Sequence, residues 1–476
     1  MAGRYTTALR EAVLGMKYFP TIALAVLLAG LSGYLYWVEL PAEQVRTATQ
    51  TQESRLLPFD EREITGLTVR TDAGDVVLEP GERRTWKIAA PLRGDADARE
   101  VESLLRALVL GKISRVVEER ATTLAPFGLE HPPVVLTIAA GARGETLALG
   151  DSGPISSTLY AMRTSDRKVL LTTLAAKDVL NKTLLTFRKK EVLRFDQSQV
   201  DRLRLTFPGS EILLEQERAG QPGQKKPLWK VRFPLDTRAD QIEVRRLLLK
   251  LEDFKAVGFI DHGPQHAKLL GRLTKPDVKV TMRASGADQT VKLFQLDQAS
   301  GEAYAVTAPD APILRINPVM IKDLSKEVFA LQDKRLLGVE RDDIAVLSVK
   351  TREEQYVLLN QDGQWVLEDQ PDRKLKQDFV DIFVSRVVEL PAEIRVVKHP
   401  GPLAPYGLSS PAAEFAVTGK DGKPRGRLIL GSREGGLVYA MGQLRGIFQA
   451  RADILSQIPA KQTLLDPPGP PGGTPP

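Results

Sequence analysis

The chain has 476 residues, 42% of them hydrophobic and 26% charged, and its 66 lysines and arginines stand against 60 acids for a net charge of +6. That length exceeds one ordinary core and suits about three domains of roughly 100–200 residues, and the composition is that of folded domains rather than a disordered or polytopic chain. The small, interspersed charge excess argues against a nucleic-acid binder, and the absence of cysteine excludes disulfides, thiolate nucleophiles, iron–sulfur clusters and cysteine zinc sites together.

Residues 1–17 carry Arg4, Arg10 and Lys17 against Glu11, and no charge then appears from Tyr18 to Val38, a run of 21 residues. At 1.5 Å per residue such a run spans about 31 Å, the thickness of a bilayer's hydrocarbon core. Tyr34, Tyr36 and Trp37 fall where an interfacial aromatic belt sits. The expectation is a single transmembrane helix over 18–38. It reads as an uncleaved signal-anchor, because the run is long for a signal h-region and no small-x-small site follows. Basic residues before it, with Glu39 and Glu43 after it, place 1–17 in the cytoplasm as an N-terminal tail and the body outside. Residues 39–58 are polar and aperiodic, a linker.

One pattern then occurs three times. Counting from Trp86, apolar residues fall at offsets of 15, 18, 19 and 22, as Val101, Leu104, Leu105 and Leu108. The same offsets from Trp229 give Val244, Leu247, Leu248 and Leu251, and from Trp365 they give Val380, Phe383, Val384 and Val387. That spacing is one face of an α-helix. Asp97 with Glu100, and Asp240 with Glu243, supply N-caps for the first two helices, while Lys376 stands at the third position. Gly128, Gly271 and Gly407 each lie 42 residues after their tryptophans, and Tyr160, Tyr304 and Tyr439 lie 74, 75 and 74 after them. Alternating segments such as VVLTIAA, VKVTMRA and EFAVTGK surround these landmarks and read as antiparallel strands. The expected architecture is α+β. Three tandem repeat modules, 59–195, 196–338 and 339–466, each carry an antiparallel sheet and a packed amphipathic helix, and a Pro/Gly tail follows at 467–476.

Chemistry is hard to find. The histidines are His131, His262, His266 and His399. His262 and His266 have ligand spacing for one helix face, but Gly263-Pro264 opposes a helix there and no third ligand is near. His131 and His399 sit beside prolines in loops. No nucleophile elbow, Walker phosphate loop or dinucleotide fingerprint is present. The pairs Asp95/Asp97 and Asp342/Asp343 read as caps and a solvated turn, and Arg188-Lys189-Lys190 and Lys225-Lys226 as solvated faces. The repeated tryptophans and tyrosines read as core anchors. The sequence therefore nominates no catalytic, cofactor-binding or metal residue, requires no cofactor, and leaves ligand-binding residues unassigned.

The Trp strand followed by Pro91, Ala96-Asp97, Val101, Leu104-Leu105, Leu108 and Phe127-Gly128-Leu129, behind one N-terminal apolar run, resembles the bacterial family catalogued as domain of unknown function 4340. The resemblance recurs once per module, although the third copy lacks the Ala-Asp pair and the second lacks the aromatic before Gly271. It implies a membrane-tethered extracytoplasmic protein, often encoded beside an ABC transporter of the gliding-motility auxiliary type, and it supplies no catalytic residues. The resulting expectation is a non-enzymatic, periplasmic accessory or scaffold of an ABC-type transport system. It is single-pass in the bacterial inner membrane, its partners are transporter subunits or other envelope proteins, and no nucleic acid is involved. The alternative is a periplasmic module binding cell-wall glycan or lipid.

Overall fold

The computed structural model describes residues 54–466 apart from 83–84, 156, 176–178, 218–226, 298 and 300, together with isolated positions between 24 and 37. The chain divides into two compact units, Met1–Lys190 with one sheet and Glu191–Pro476 with two.

In the first unit the strands are β1 (Gly66–Thr71), β2 (Gly74–Pro80), β3 (Trp86–Ala90), β4 (Gly94–Asp95), β5 (Ile113–Glu118), β6 (Val134–Ala140), β7 (Arg143–Ser152), β8 (Leu159–Arg163) and β9 (Val169–Thr172). They lie in the order β4-β3-β2-β1-β6-β7-β8-β9-β5, and every pairing is antiparallel. Two meanders thus meet at their first strands, with Leu67 opposite Ile138 and Val69 opposite Leu136 at the join. The helix Ala98–Leu110 connects β4 at one edge to β5 at the other. Its apolar stripe, Val101, Leu104, Leu105 and Leu108, is buried in one core with Leu67, Val69, Leu78, Trp86, Val134 and Leu136. A period-2 strand and a period-3.6 helix each present one apolar face, and pressing those faces together removes both from water.

The second unit repeats the plan. Its first sheet runs through nine strands from Thr237–Arg238 at one edge to Gly258–Ile260 at the other, in the same permuted order, with helix Gln241–Glu252 as the crossover. The other sheet runs through eight strands from Gln364–Leu367 to Ile394–Val397, with helix Gln377–Val388. All twelve helix-face residues singled out by the tryptophan offsets are buried.

The structure corrects the α+β expectation. Among the described residues the fold is mostly β: three large antiparallel sheets of nine, nine and eight strands. Each carries one long helix, and the closing helices are single turns at Leu184–Phe187, Val328–Leu331 and Lys461–Leu464. Edge strands of two to four residues are too short to show a period in the sequence. Among the described residues no helix is long and apolar enough to cross a membrane, a statement that leaves β-barrels aside. The transmembrane helix expected over 18–38 lies, but for isolated positions, outside the described residues, as do 1–17, most of 39–58 and 467–476.

Two local expectations also change. A helix does begin at Pro264, running to Arg272, because proline at the first helical position gives up an N–H that would be unbonded anyway. Gly271 lies inside that helix, whereas Gly128 and Gly407 end one-turn helices in the left-handed region, at φ 66° and 68°. The shared 42-residue offset is therefore a coincidence of register for the middle copy.

Candidate functional site

The capping residues of the repeat make contacts within the fold. Asp97 accepts from Arg99 N–H, and Asp240 accepts from Ile242 N–H and Glu243 N–H. The reciprocal half of the capping box is not made. Instead the Asp97 and Asp240 N–H groups donate to the carbonyls of Phe187 and Leu331, the ends of the closing helices. Lys376, which has no capping side-chain bond, makes the same backbone bond to Leu464. Glu100 pairs with Lys182 and Glu243 with Arg246.

Twelve residues after the second and third tryptophans stands a glutamine that the sequence reading passed over. Gln377 Oε1 accepts from Trp365 N–H at 2.8 Å, and its Nε2 donates to Trp365 O at 2.9 Å. Gln241 does the same for Trp229, at 2.9 Å in both directions. The side-chain amide stands in for a strand partner and ties the tryptophan strand to the helix start. In the first copy that position is Ala98, so no such clamp forms.

The sheet face away from the long helix carries smaller clusters. Tyr160 packs on Phe127 and Tyr439 on Tyr406, each pair with ring centroids 5.1 Å apart. The turn bearing Phe127 lies so close to β7 that a Cβ on Gly150 would run into the Phe127 carbonyl, and Gly431 stands in the same relation to Tyr406. In the second sheet the helix Pro264–Arg272 covers that face, with Leu269 and Leu273 against Phe294 and Tyr304. His266 is buried there, and its Nε2 lies 3.2 Å from Ala311 O. His262 Nε2 lies 2.9 Å from Asp310 O, and the two imidazoles are 4.6 Å apart. Both rings therefore donate to the chain at 310–311 and fasten it to the helix start. His131 and His399 are exposed. Among the described residues no group of three or more acids and histidines is arranged to hold a metal.

The acid pairs are dispersed among structural roles. Asp95 pairs with Lys189 at 3.7 Å, and Asp343 N–H donates to Glu340 O in a one-turn helix. Lys225 and Lys226 lie outside the described residues.

Within the second unit there is a cavity of about 440 Å³ where the chain passes from its first sheet to its second. The connecting segment is hydrogen-bonded on both sides: Asp333 N–H to Arg238 O at 2.8 Å, Ala392 N–H to Lys334 O at 2.8 Å, and Leu336 N–H to Leu390 O at 2.9 Å. Arg335 lays its fork on Asp333, with Nη2 at 2.7 Å and Nε at 3.0 Å from Oδ2, and also reaches Glu340 at 3.0 Å. Arg238 bonds Glu340 and lies 3.8 Å from Asp333. Burial, and then the neighbouring Arg335 guanidinium, hold the Arg238 pKa below its usual value, against the pull of Asp333. Arg238, Lys334 and Arg335 face Asp240, Asp333 and Glu393 around the cavity, so its charges balance. Ile242, 70% exposed, stands at the rim. A wall of this kind suits a ligand with both polar and apolar parts; it offers neither a nucleophile paired with a base nor a set of metal donors.

Fold and site together define a tandem-repeat β-sheet protein whose repeated residues build packing, capping and seams. The chain belongs to the family described as a domain of unknown function (DUF4340), whose model matches residues 86–231 and again 229–394. No curated protein matches the chain, and no solved structure does. Each match begins within three residues of a tryptophan strand and ends beyond the next sheet's start. The first one takes β3 to β9 and then the opening strands of the following sheet, up to Val231. The family frame is therefore offset from the structural one. Each sheet opens earlier, at the buried dipeptides Leu56-Leu57, Val192-Leu193 and Leu336-Leu337. The residues just before them bridge Lys112, Lys255 and Pro391 respectively.

Proposed function

We propose that the protein is a non-enzymatic accessory or scaffold of the bacterial cell envelope. In this reading the uncharged run 18–38 holds it at the inner membrane, the N-terminus is cytoplasmic, and the sheets work in the periplasm beside an ABC-type transport system. The observation that carries the reading is the repetition itself. The same sheet plan, the same crossover helix and the same closing contact occur three times along one chain, and tandem copies of one unit offer a partner several like surfaces. The repeated residues serve that construction, as caps, clamps and anchors.

The test is a pull-down of the full chain from cells in mild detergent, with the transporter genes expressed. Recovery of transporter subunits above an unrelated single-pass control supports the proposal, and recovery of none counts against it. A second reading, a module binding cell-wall glycan or lipid, is favoured by the cavity of about 440 Å³ beside Arg238, a volume within the usual range of ligand pockets. It expects the body lacking residues 1–40 to be retained on purified envelope fractions, and loss of retention in Arg335→Ala; free passage of the unaltered body removes it.

A further inference from the structure

All three sheets close by laying the end of the final turn along the chain that leads into the crossover helix. Asp97 N–H donates to Phe187 O at 2.7 Å, Asp240 N–H to Leu331 O at 2.9 Å, and Lys376 N–H to Leu464 O at 2.9 Å. Bridges accompany them at Ala96↔Arg188, Ala239↔Gln332 and Leu375↔Leu465. These contacts are made by backbone, and a backbone edge accepts any extended segment. The closing segment of one sheet would fit the edge of the next as well as its own, a hazard that tandem repeats share.

What differs between copies is the charge beside the ladder. Nine residues after each tryptophan stand Asp95, Arg238 and Lys374, and two residues after each closing carbonyl stand Lys189, Asp333 and Asp466. In the first sheet the acid is on the edge and the base on the closing segment, with Lys189 Nζ 3.7 Å from Asp95 Oδ2. In the second the polarity is reversed: Arg238 Nε lies 3.8 Å from Asp333 Oδ2. The third has the polarity of the second, and there Asp466 N–H donates to Lys374 O at 2.9 Å.

We infer that this inversion is a pairing-specificity device, directing the closing segment 187–189 to its own edge strand and away from the edge at 237–239. The wrong pairing sets Lys189 against Arg238, and the reciprocal one sets Asp333 against Asp95. Both contacts bring like charges together where the correct ones bring opposite charges. Discrimination of this kind rests on a repulsive element as much as on an attractive one. It separates the first sheet from the other two and leaves those two alike.

The chain has no cysteine, so introduced pairs report docking cleanly. In the full chain refolded in detergent under oxidising conditions, Ala96→Cys with Arg188→Cys reads the correct pairing, and Ala239→Cys with Arg188→Cys reads the wrong one. Exchanging the first pair by Asp95→Arg with Lys189→Asp keeps an opposite-charge contact but abolishes the inversion. The expected result is a several-fold rise of the 188–239 disulfide while the 96–188 disulfide still forms. An unchanged 188–239 yield overturns the inference. If the exchanged chain does not fold, Arg238→Asp removes the same repulsion from the other side and is expected to raise the 188–239 disulfide. No rise in either variant overturns the inference as well.

Discussion

The glutamine clamp gives the sharpest energetic prediction. Replacing Gln377 by alanine deletes the bonds to Trp365 N–H and from Nε2 to Trp365 O, of 2.8 and 2.9 Å. The strand Gln364–Leu367 is the last of its sheet, so the two groups lose partners that no neighbouring strand replaces. Each net bond is worth about 1 kcal/mol, with a further penalty for stranding a backbone group, and alanine's better helix propensity returns only a few tenths. Water at the open edge limits the penalty, and the expected loss is roughly 2 kcal/mol. Each sheet holds one tryptophan, so a full chain with Trp37, Trp86 and Trp229 changed to phenylalanine reports the third sheet alone by fluorescence in a urea titration. The complementary change Ala98→Gln offers the first sheet the clamp it lacks and should gain about 1 kcal/mol. A Gln377→Ala midpoint indistinguishable from the parent's, at equal slope, would show that the amide carries no load and refute the reasoning.

Other consequences follow from the same contacts. Asp240→Ala removes two bonds to the helix start and should cost about 1 kcal/mol, whereas Lys376→Ser, at a position without a side-chain cap, should stabilise by several tenths; both are read by chemical denaturation. Gly407→Ala must hold φ near 68° with a Cβ against Ser432 and should cost at least 1 kcal/mol, while Gly271→Ala, helical and in open space, should be neutral or gain up to about 1. Asp196 accepts from the Ser198 hydroxyl and then from Ser198 N–H, which lowers its pKa below the usual 3.8. A lowered carboxylate pKa stabilises the fold above the usual value and loses that contribution as pH falls through the folded one. Ser198→Ala should therefore weaken the second sheet at neutral pH, with the deficit closing in acid, as followed by urea midpoints between pH 2 and pH 7.

The periodic parts of the fold were legible in the sequence. Val101, Leu104, Leu105 and Leu108 announce a helix face because nothing else in a chain recurs at that spacing, and the same holds for the other two copies. Asp97 and Asp240 were readable as caps. The strand content was not, because a two-residue edge such as Thr237–Arg238 has no period to detect and owes its extension to its partners. The opening dipeptide Leu56-Leu57 was hidden behind a polar stretch and read as linker, although both residues are buried. Nor was the meaning of Gln377 accessible, since a glutamine at a helix start looks like surface until the tryptophan backbone is seen beneath it. The seam cavity joins residues 238, 333 and 393, which no local pattern connects. The 42-residue glycine register misled because a fixed distance in sequence says nothing about φ.

The central claim is that the structural unit opens at residue 54 or 55 and closes at 190, and is displaced from the frame in which the family pattern repeats. It is tested by producing 54–190 and 86–231 separately and comparing their unfolding by circular dichroism and urea. The first segment holds all nine strands, the crossover helix and the closing turn; the second lacks β1 and β2, which leaves β6 without its inner partner. A single cooperative transition for 54–190 and none for 86–231 is the predicted result, and a cooperative fold in 86–231 with none in 54–190 would contradict it.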